Sequence, residues 1–397
     1  MNDIRSLHGL RRVINVSGTM TSLGASIAVP EAIEAASAML GQFVEIGDLQ
    51  RLASRTIAEV CGTEAGFVTA SAAAGLTLAV AGAMTGDDLG EVERLPDASR
   101  LKHEVPVQMG HLVNYGAPID QSIRIAGATV VPVGQATTAR RYQLESAITE
   151  RTAAAVYVVS HHTVQYGLIE LPEFVEVCHA RGVPVIVDAA SEYDLKGFLA
   201  TGADVCLFSA HKFMGGLTAG IVAGRVDAVR HAYLQNIGIG RGMKVGKEGI
   251  FGTIATLKAW VRRDHAADKV RQDGHLALWA GVLANRPGVR AEVLPDPTGN
   301  PLQRLRVWVS PDKANVTAWD LADLLSRGER PVIVRDDEVD QGCFELDPCN
   351  LQVDEEHIVA QRLAETLDAA HAAPPSRHTP VSERRNRLAA GLLRWPG

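Results

Sequence analysis

Cysteine is scarce and unpaired in this chain: Cys61, Cys178, Cys206, Cys343 and Cys349 are scattered, with no C-x-x-C spacing. That excludes a disulfide framework and argues against a zinc site; it fits reduced thiols in a cytoplasm. Long hydrophobic runs are missing too. No stretch is long enough to span a bilayer, and the N-terminus shows no apolar signal segment. Nor is there an excess of basic charge. Lys+Arg number 39 against 46 Asp+Glu, for a net charge of −7, so nucleic acid has no electrostatic footprint here. Internal repeats are absent as well. What remains is a chain of 397 residues, 46% hydrophobic with 37 glycines, enough for one large and one smaller domain.

The most informative stretch is a short apolar run at 205–208 that reads as a buried strand. It ends in Ser209-Ala210-His211-Lys212 and then Phe213-Met214-Gly215-Gly216, which sets one lysine on a tight turn at the strand's end. Pyridoxal-phosphate enzymes keep the amine that bonds their cofactor in such a place. An ordinary surface lysine is the equal alternative on this stretch alone. A second β-branched strand, 183–187, ends in Asp188, one short crossover upstream of Lys212. A carboxylate there can hold a pyridine nitrogen protonated, or merely cap a helix. The two together favour the cofactor.

Taken in order, residues 13–26 form a small-residue loop suited to close backbone approach. Helical patterns follow at 30–40 and 48–61, then a strand at 66–70 and Ser71-Ala72-Ala73-Ala74-Gly75 opening an apolar helix to 84. Such an opening offers N–H groups to a phosphate, although Ser71 could simply cap the helix. Residues 86–104 read as a polar excursion, a solvated loop or a lid. His111 follows the strand at 105–108 and could stack on a cofactor ring. Strands at 129–133 and 152–160 come next, the latter ending in His161-His162. Two histidines in a row resemble a metal pair, but no Glu or third His stands at helical spacing to complete a site, which leaves metal the weaker reading. A hydrogen bond to a cofactor's phenolic oxygen suits His161 better. After a strand at 219–224, Arg241, Lys244 and Lys247 stand among glycines, as an anion clamp or a basic surface loop. A single long helical pattern at 250–285 is expected to link two domains.

The expected organisation is an N-terminal arm with helices (1–55), a large cofactor-binding domain (56–258), a small C-terminal domain (259–371) and a flexible tail (372–397). Within the small domain the strands fall at 289–294, 302–310, 331–335 and 342–346, and the helices at 318–327 and 354–371.

Taken together, the strand ends resemble the fold type I pyridoxal-phosphate enzymes, the aspartate aminotransferase superfamily. The chain is most similar to the branch containing bacterial selenocysteine synthase and D-glucosaminate-6-phosphate ammonia lyase, and nearer the lyase. The carrying segments are 13–24, 68–75, 110–118, 160–167, 187–194, 209–220 and 238–248, which span most of 13–250. The resemblance implies an α/β fold with a large, mainly parallel, seven-stranded-type sheet domain and a smaller C-terminal α+β domain. It implies pyridoxal 5'-phosphate as cofactor, Lys212 as the Schiff-base lysine and Asp188 as the pyridinium partner. Ser71, Ala72, Ala73 and Ser209 would hold the phosphate, His111 would stack on the ring and His161 would lie near the phenolic oxygen. Arg241, Lys244 and His162 would bind substrate.

The shared pattern begins near residue 13, without the extra N-terminal tRNA region of selenocysteine synthase. With the acidic charge, this argues against a nucleic-acid partner. The expected protein is a cytoplasmic homodimer or larger homo-oligomer with no metal. Its expected reaction is α,β-elimination on a small polar hydroxy amino acid or amino sugar acid, releasing ammonia and a 2-oxo acid. Racemisation, aldol cleavage and transamination start from the same bound substrate and stay open. So do a selenium- or sulfur-transferase-like activity and an inactive binding protein.

Overall fold

A computed structural model describes residues 3–374 and 378–396. The chain divides into two compact units, 26–263 and 1–25 together with 264–397. Strand β1 (Ile14–Val16) belongs to the second, smaller unit. The larger unit holds β2 (Ala65–Thr69), β3 (Glu104–Gln108), β4 (Thr129–Val133), β5 (Ala155–Val158), β6 (Val185–Asp188), β7 (Val205–Ser209) and β8 (Gly220–Gly224). They form one seven-stranded sheet in the order β2-β8-β7-β6-β5-β3-β4. Only β8 runs against its neighbours; the pairings from β7 through β6, β5 and β3 to β4 are parallel. Every residue of β2, β3, β6, β7 and β8 is buried, as expected of strands covered on both faces. That is why they read as continuous apolar runs and not as alternations.

The helices obey the end signals of the sequence. Pro30 opens the Pro30–Leu40 helix at its first position. Ser71 caps the Ala72–Thr85 helix, its Oγ accepting from the Ala74 N–H at 3.0 Å. That helix is apolar on all sides and almost wholly buried, the pattern of a core helix.

In the smaller unit β9 (Val289–Pro295), β10 (Gln303–Val309) and β12 (Cys343–Leu346) form an antiparallel sheet in the order β12-β10-β9. β1 pairs in parallel with β11 (Val332–Val334). Around Trp279, Leu305, Phe344 and Leu363 lies a separate core.

Four details differ from the expectation. The expected continuous helix at 250–285 is two, Lys247–Arg262 and His265–Leu283. Arg263 is extended, and the Asp264 side chain caps the second helix by accepting from the Ala267 N–H at 2.9 Å. The larger unit therefore ends at Arg263 rather than 258, and it begins at Ser26, so the expected 1–55 segment is shared between the units. The polar excursion at 86–104 holds a helix, Leu89–Arg94, pinned by buried Val92, Leu95 and Ala98. Of the expected tail, residues 375–377 and 397 lie outside the described residues. Within the remainder is a helix, Val381–Leu393, fastened by Arg384 to Asp323 at 2.8 Å and to Asp336. Among the described residues no helix is long and apolar enough to cross a membrane.

Candidate active site

The C-terminal ends of the parallel strands gather the polar residues, where open α/β sheets bind ligands. Three strands share one rung there: Gly220 of β8 pairs with Ser209 on one side and with Thr69 on the other. On the next strand Asp188 ends β6, and the Ser209 N–H donates to the Ala190 carbonyl at 3.1 Å. Lys212 follows on the turn after β7, and Ser71 on the turn after β2.

Gly220 is required by this packing. A Cβ there would lie 2.2 Å from the Ser71 carbonyl carbon and oxygen and 2.6 Å from the Ala72 nitrogen. The strand thus backs directly onto the helix start. The capping bond occupies Ser71 Oγ, while the Ala72 and Ala73 N–H groups lie in the first turn, where no intrahelical acceptor exists. Thr69 Oγ1, on the same rung, is buried with no hydrogen-bond partner. This cradle fits a phosphate.

Asp188 is buried, and burial pushes its carboxyl above the usual range. Opposing that are the Lys212 ammonium and the Ala190 N–H, which donates to Oδ1 at 3.2 Å. A buried carboxylate in such a setting calls for a cation at its face, and a protonated pyridine nitrogen is one. Tyr115 also feels the Asp188 charge, and its hydroxyl lies 3.0 Å from Ser122 Oγ. Tyr115 lies within the 110–118 segment, and nothing local in the sequence marks it, since its proximity to Asp188 is tertiary.

His111 closes the short turn after β3 and is buried. Its Nδ1 accepts the Val158 N–H at 3.2 Å, which fixes the neutral ring with its proton on Nε2. Burial lowers its pKa to about 4, so the ring is neutral near pH 7. The imidazole meets Tyr157 edge to face at 4.5 Å. His161 and His162 follow β5 with ring centroids 3.8 Å apart.

Arg241 and Lys244 are exposed, on and just after a short 3-10 segment, Ile239–Met243. Lys247 is engaged elsewhere: its Nζ donates to the Gln42 carbonyl and lies 5.7 Å from the Phe43 ring centroid. The structure thus gathers Ser71, Ala72, Ala73, Asp188, Ser209 and Lys212 around the strand ends, and leaves Arg241 and Lys244 on the surface.

Residues 13–278 match the family model described as L-seryl-tRNA selenium transferase. The chain is 37% identical over 365 residues to a D-glucosaminate-6-phosphate ammonia lyase of Salmonella typhimurium, covering 92% of this chain and 97% of that one. It is 34% identical over 368 residues to a 5'-C-glycyluridine monooxygenase-decarboxylase of a Streptomyces species, covering 92% of each. A solved D-glucosaminate-6-phosphate ammonia-lyase superposes with TM-score 0.84 at 36% identity, over 93% of this chain and 100% of that chain. The fold is that of the fold type I, aspartate aminotransferase-like enzymes. The donor set at the strand ends and these likenesses agree: the chain belongs to the L-seryl-tRNA selenium transferase family of pyridoxal-phosphate enzymes.

Proposed function

We propose that this enzyme is an ammonia lyase acting on an amino sugar acid or a similar small polar hydroxy amino acid. The observation that carries the reading is buried Asp188 in the field of Lys212, one at the end of β6 and the other on the turn after neighbouring β7, in a chain 37% identical to such a lyase over nearly its whole length. Bound pyridoxal phosphate supplies an electron sink for the carbanion. Lys212 Nζ would hold the cofactor and, with substrate in its place, would accept the α-proton. Asp188 would keep the ring nitrogen protonated. The Ala72 and Ala73 N–H groups, with Ser71 and Ser209, would hold the phosphate; His111 would cover the ring, and His161 would serve the phenolic oxygen. Arg241, Lys244 and His162 bind the substrate's anionic and polar groups. With the β-hydroxyl lost as water, hydrolysis of the enamine gives the 2-oxo acid and ammonia.

A cytoplasmic homodimer is the accompanying proposal; the five free cysteines support the reducing compartment. Light scattering of the purified protein tests the dimer.

The test is a visible spectrum of the purified protein, then ammonia and 2-oxo acid assays over a panel of D- and L-hydroxy amino acids and amino sugar acids. Both products from one substrate, with loss of the borohydride-reducible cofactor adduct in Lys212→Ala, are expected. An adduct that survives Lys212→Ala overturns the lysine's role. The 34% relative favours a second reading, oxidative decarboxylation of an amino acid; oxygen uptake and carbon dioxide release without ammonia identify it.

A further inference from the structure

The turn that carries Lys212 is held from behind through its own carbonyl oxygens. The Arg263 guanidinium donates twice, from Nη1 to the Phe213 carbonyl at 2.8 Å and from Nη2 to the Met214 carbonyl at 3.0 Å. Val29 N–H donates to the Gly215 carbonyl at 2.7 Å, and Ser26 Oγ to the His211 carbonyl at 2.6 Å. Four of the five carbonyls from His211 to Gly215 thus find donors outside the turn; the fifth, that of Lys212, accepts the Gly215 N–H at 3.0 Å. Ser26 and Arg263 are also the first and last residues of the larger unit.

Arg263 is itself fixed. Its guanidinium lies 4.9 Å from the Trp260 ring centroid, and Trp260 packs on Tyr193, which packs on Phe213. Among the described residues it makes no ion pair with a carboxylate, so its donors go to peptide oxygens. The turn is shaped for this contact. Gly215 has φ +67°, and a Cβ there would sit 3.1 Å from Val29 Cγ1, 3.3 Å from the Ile27 carbonyl and 3.6 Å from Arg263 Nη2. A planar, two-pronged donor suits two successive carbonyls in a way an ammonium does not.

The geometry points to Arg263 as a positioning residue for Lys212: its guanidinium sets the lysine turn in the conformation from which Nζ reaches the cofactor. The inference rests on the reading of Lys212 as the cofactor-bonding lysine. Misplacement of a reacting group by about 1 Å costs on the order of 100-fold in rate, so the clamp acts on the rate of bond formation and leaves the phosphate cradle alone.

The experiment compares Arg263→Met, Arg263→Lys and Arg262→Met with wild type. Arg262 is the exposed neighbour, 3.9 Å from Glu31. The first readout is amide exchange across 210–216 in the full chain stripped of cofactor. The second is the capture of added pyridoxal phosphate, followed at its visible band. Arg263→Met is expected to exchange faster across the turn and to capture cofactor about tenfold more slowly at an unchanged half-saturating concentration. Arg263→Lys falls between, and Arg262→Met matches wild type. If Arg263→Met does not fold, Arg263→Lys carries the same comparison. Wild-type exchange across the turn overturns the clamp. Faster exchange with a wild-type capture rate, or a rate lost equally in Arg262→Met, overturns the positioning role. Survival of the cofactor adduct in Lys212→Ala overturns the underlying reading instead.

Discussion

Asp188 and Asp204 are buried carboxylates at opposite ends of two neighbouring parallel strands, β6 and β7, and their surroundings differ in kind. Asp204, just before β7, spends its oxygens on its own fold. Oδ2 accepts the Val185 N–H at 2.8 Å and faces His179 Nε2 at 2.8 Å, while Oδ1 faces Arg225 Nε at 3.8 Å. A cavity of about 360 Å³ opens beside these groups, yet its carboxylate is already engaged by the chain. Asp188, at the end of β6, receives one N–H at 3.2 Å and the field of Lys212. The difference separates a carboxylate that stabilises the fold from one kept available for a ligand. Burial alone does not distinguish them, since both are nearly inaccessible. What distinguishes them is how much of the hydrogen-bonding capacity the chain consumes.

The largest effect is expected where this contrast is cut directly. Asp188→Asn removes the charge that keeps the cofactor nitrogen protonated, and turnover should fall on the order of 100-fold or more with little loss of stability. Asp204→Asn should do the reverse, costing about 1–3 kcal/mol of stability while turnover per folded molecule holds. Turnover assays beside urea unfolding curves check both. Equal losses of turnover in the two variants would dissolve the distinction.

The two ends of β8 repeat the contrast on one strand. A Cβ on Gly220 would lie 2.2 Å from Ser71, and one on Gly224 would lie 2.1 Å from the Asp204 carbonyl oxygen. Each alanine substitution should cost about 1–3 kcal/mol through overpacking. Only Gly220→Ala should also weaken cofactor retention, about tenfold, because only it displaces the Ser71–Ala73 turn. Calorimetry and a titration with pyridoxal phosphate read the two quantities separately.

Much of this edge was legible in the sequence, and the reason is physical. Doubly covered strands must be apolar throughout, so each ends visibly where polar residues begin: Asp188, Ser209 and Ser71 mark those ends. Local end signals placed the Pro30–Leu40 helix to the residue. The break at 263–264 was hidden because the helical pattern continues through it without proline, and Arg263 serves carbonyls fifty residues away. Ser26 and Arg263 carry no signature of their own for the same reason. The helix Leu89–Arg94 was masked by its charge, since only Val92 of its residues is buried.

His111 offers a smaller effect with a definite sign. Its folded pKa is lowered to about 4 by burial, against an ordinary value of 6.5. The unfolded chain therefore binds the proton first as pH falls. Stability from this residue is complete above about pH 6.5 and is lost progressively as pH drops toward about 4, by roughly 3 kcal/mol at most. His111→Gln should flatten that part of the stability profile, measured by unfolding at pH 7 and pH 4.5.

The smallest effect separates cations of a single loop. Lys247 is occupied by the Gln42 carbonyl and the Phe43 ring, whereas among the described residues no carboxylate pairs with exposed Arg241 or Lys244. Charges without an internal partner are the ones a substrate anion can recruit without first breaking a bond in the chain. Arg241→Met should therefore raise KM about tenfold at nearly constant kcat, an interaction of about 1.4 kcal/mol present equally in substrate and transition state. Added salt should narrow the gap between variant and wild type, because an exposed clamp is screened. Lys247→Met should leave KM alone. A KM shift in Lys247→Met with none in Arg241→Met or Lys244→Met would mean that substrate displaces the Gln42 contact, and that prior engagement within the chain does not exclude a residue from binding.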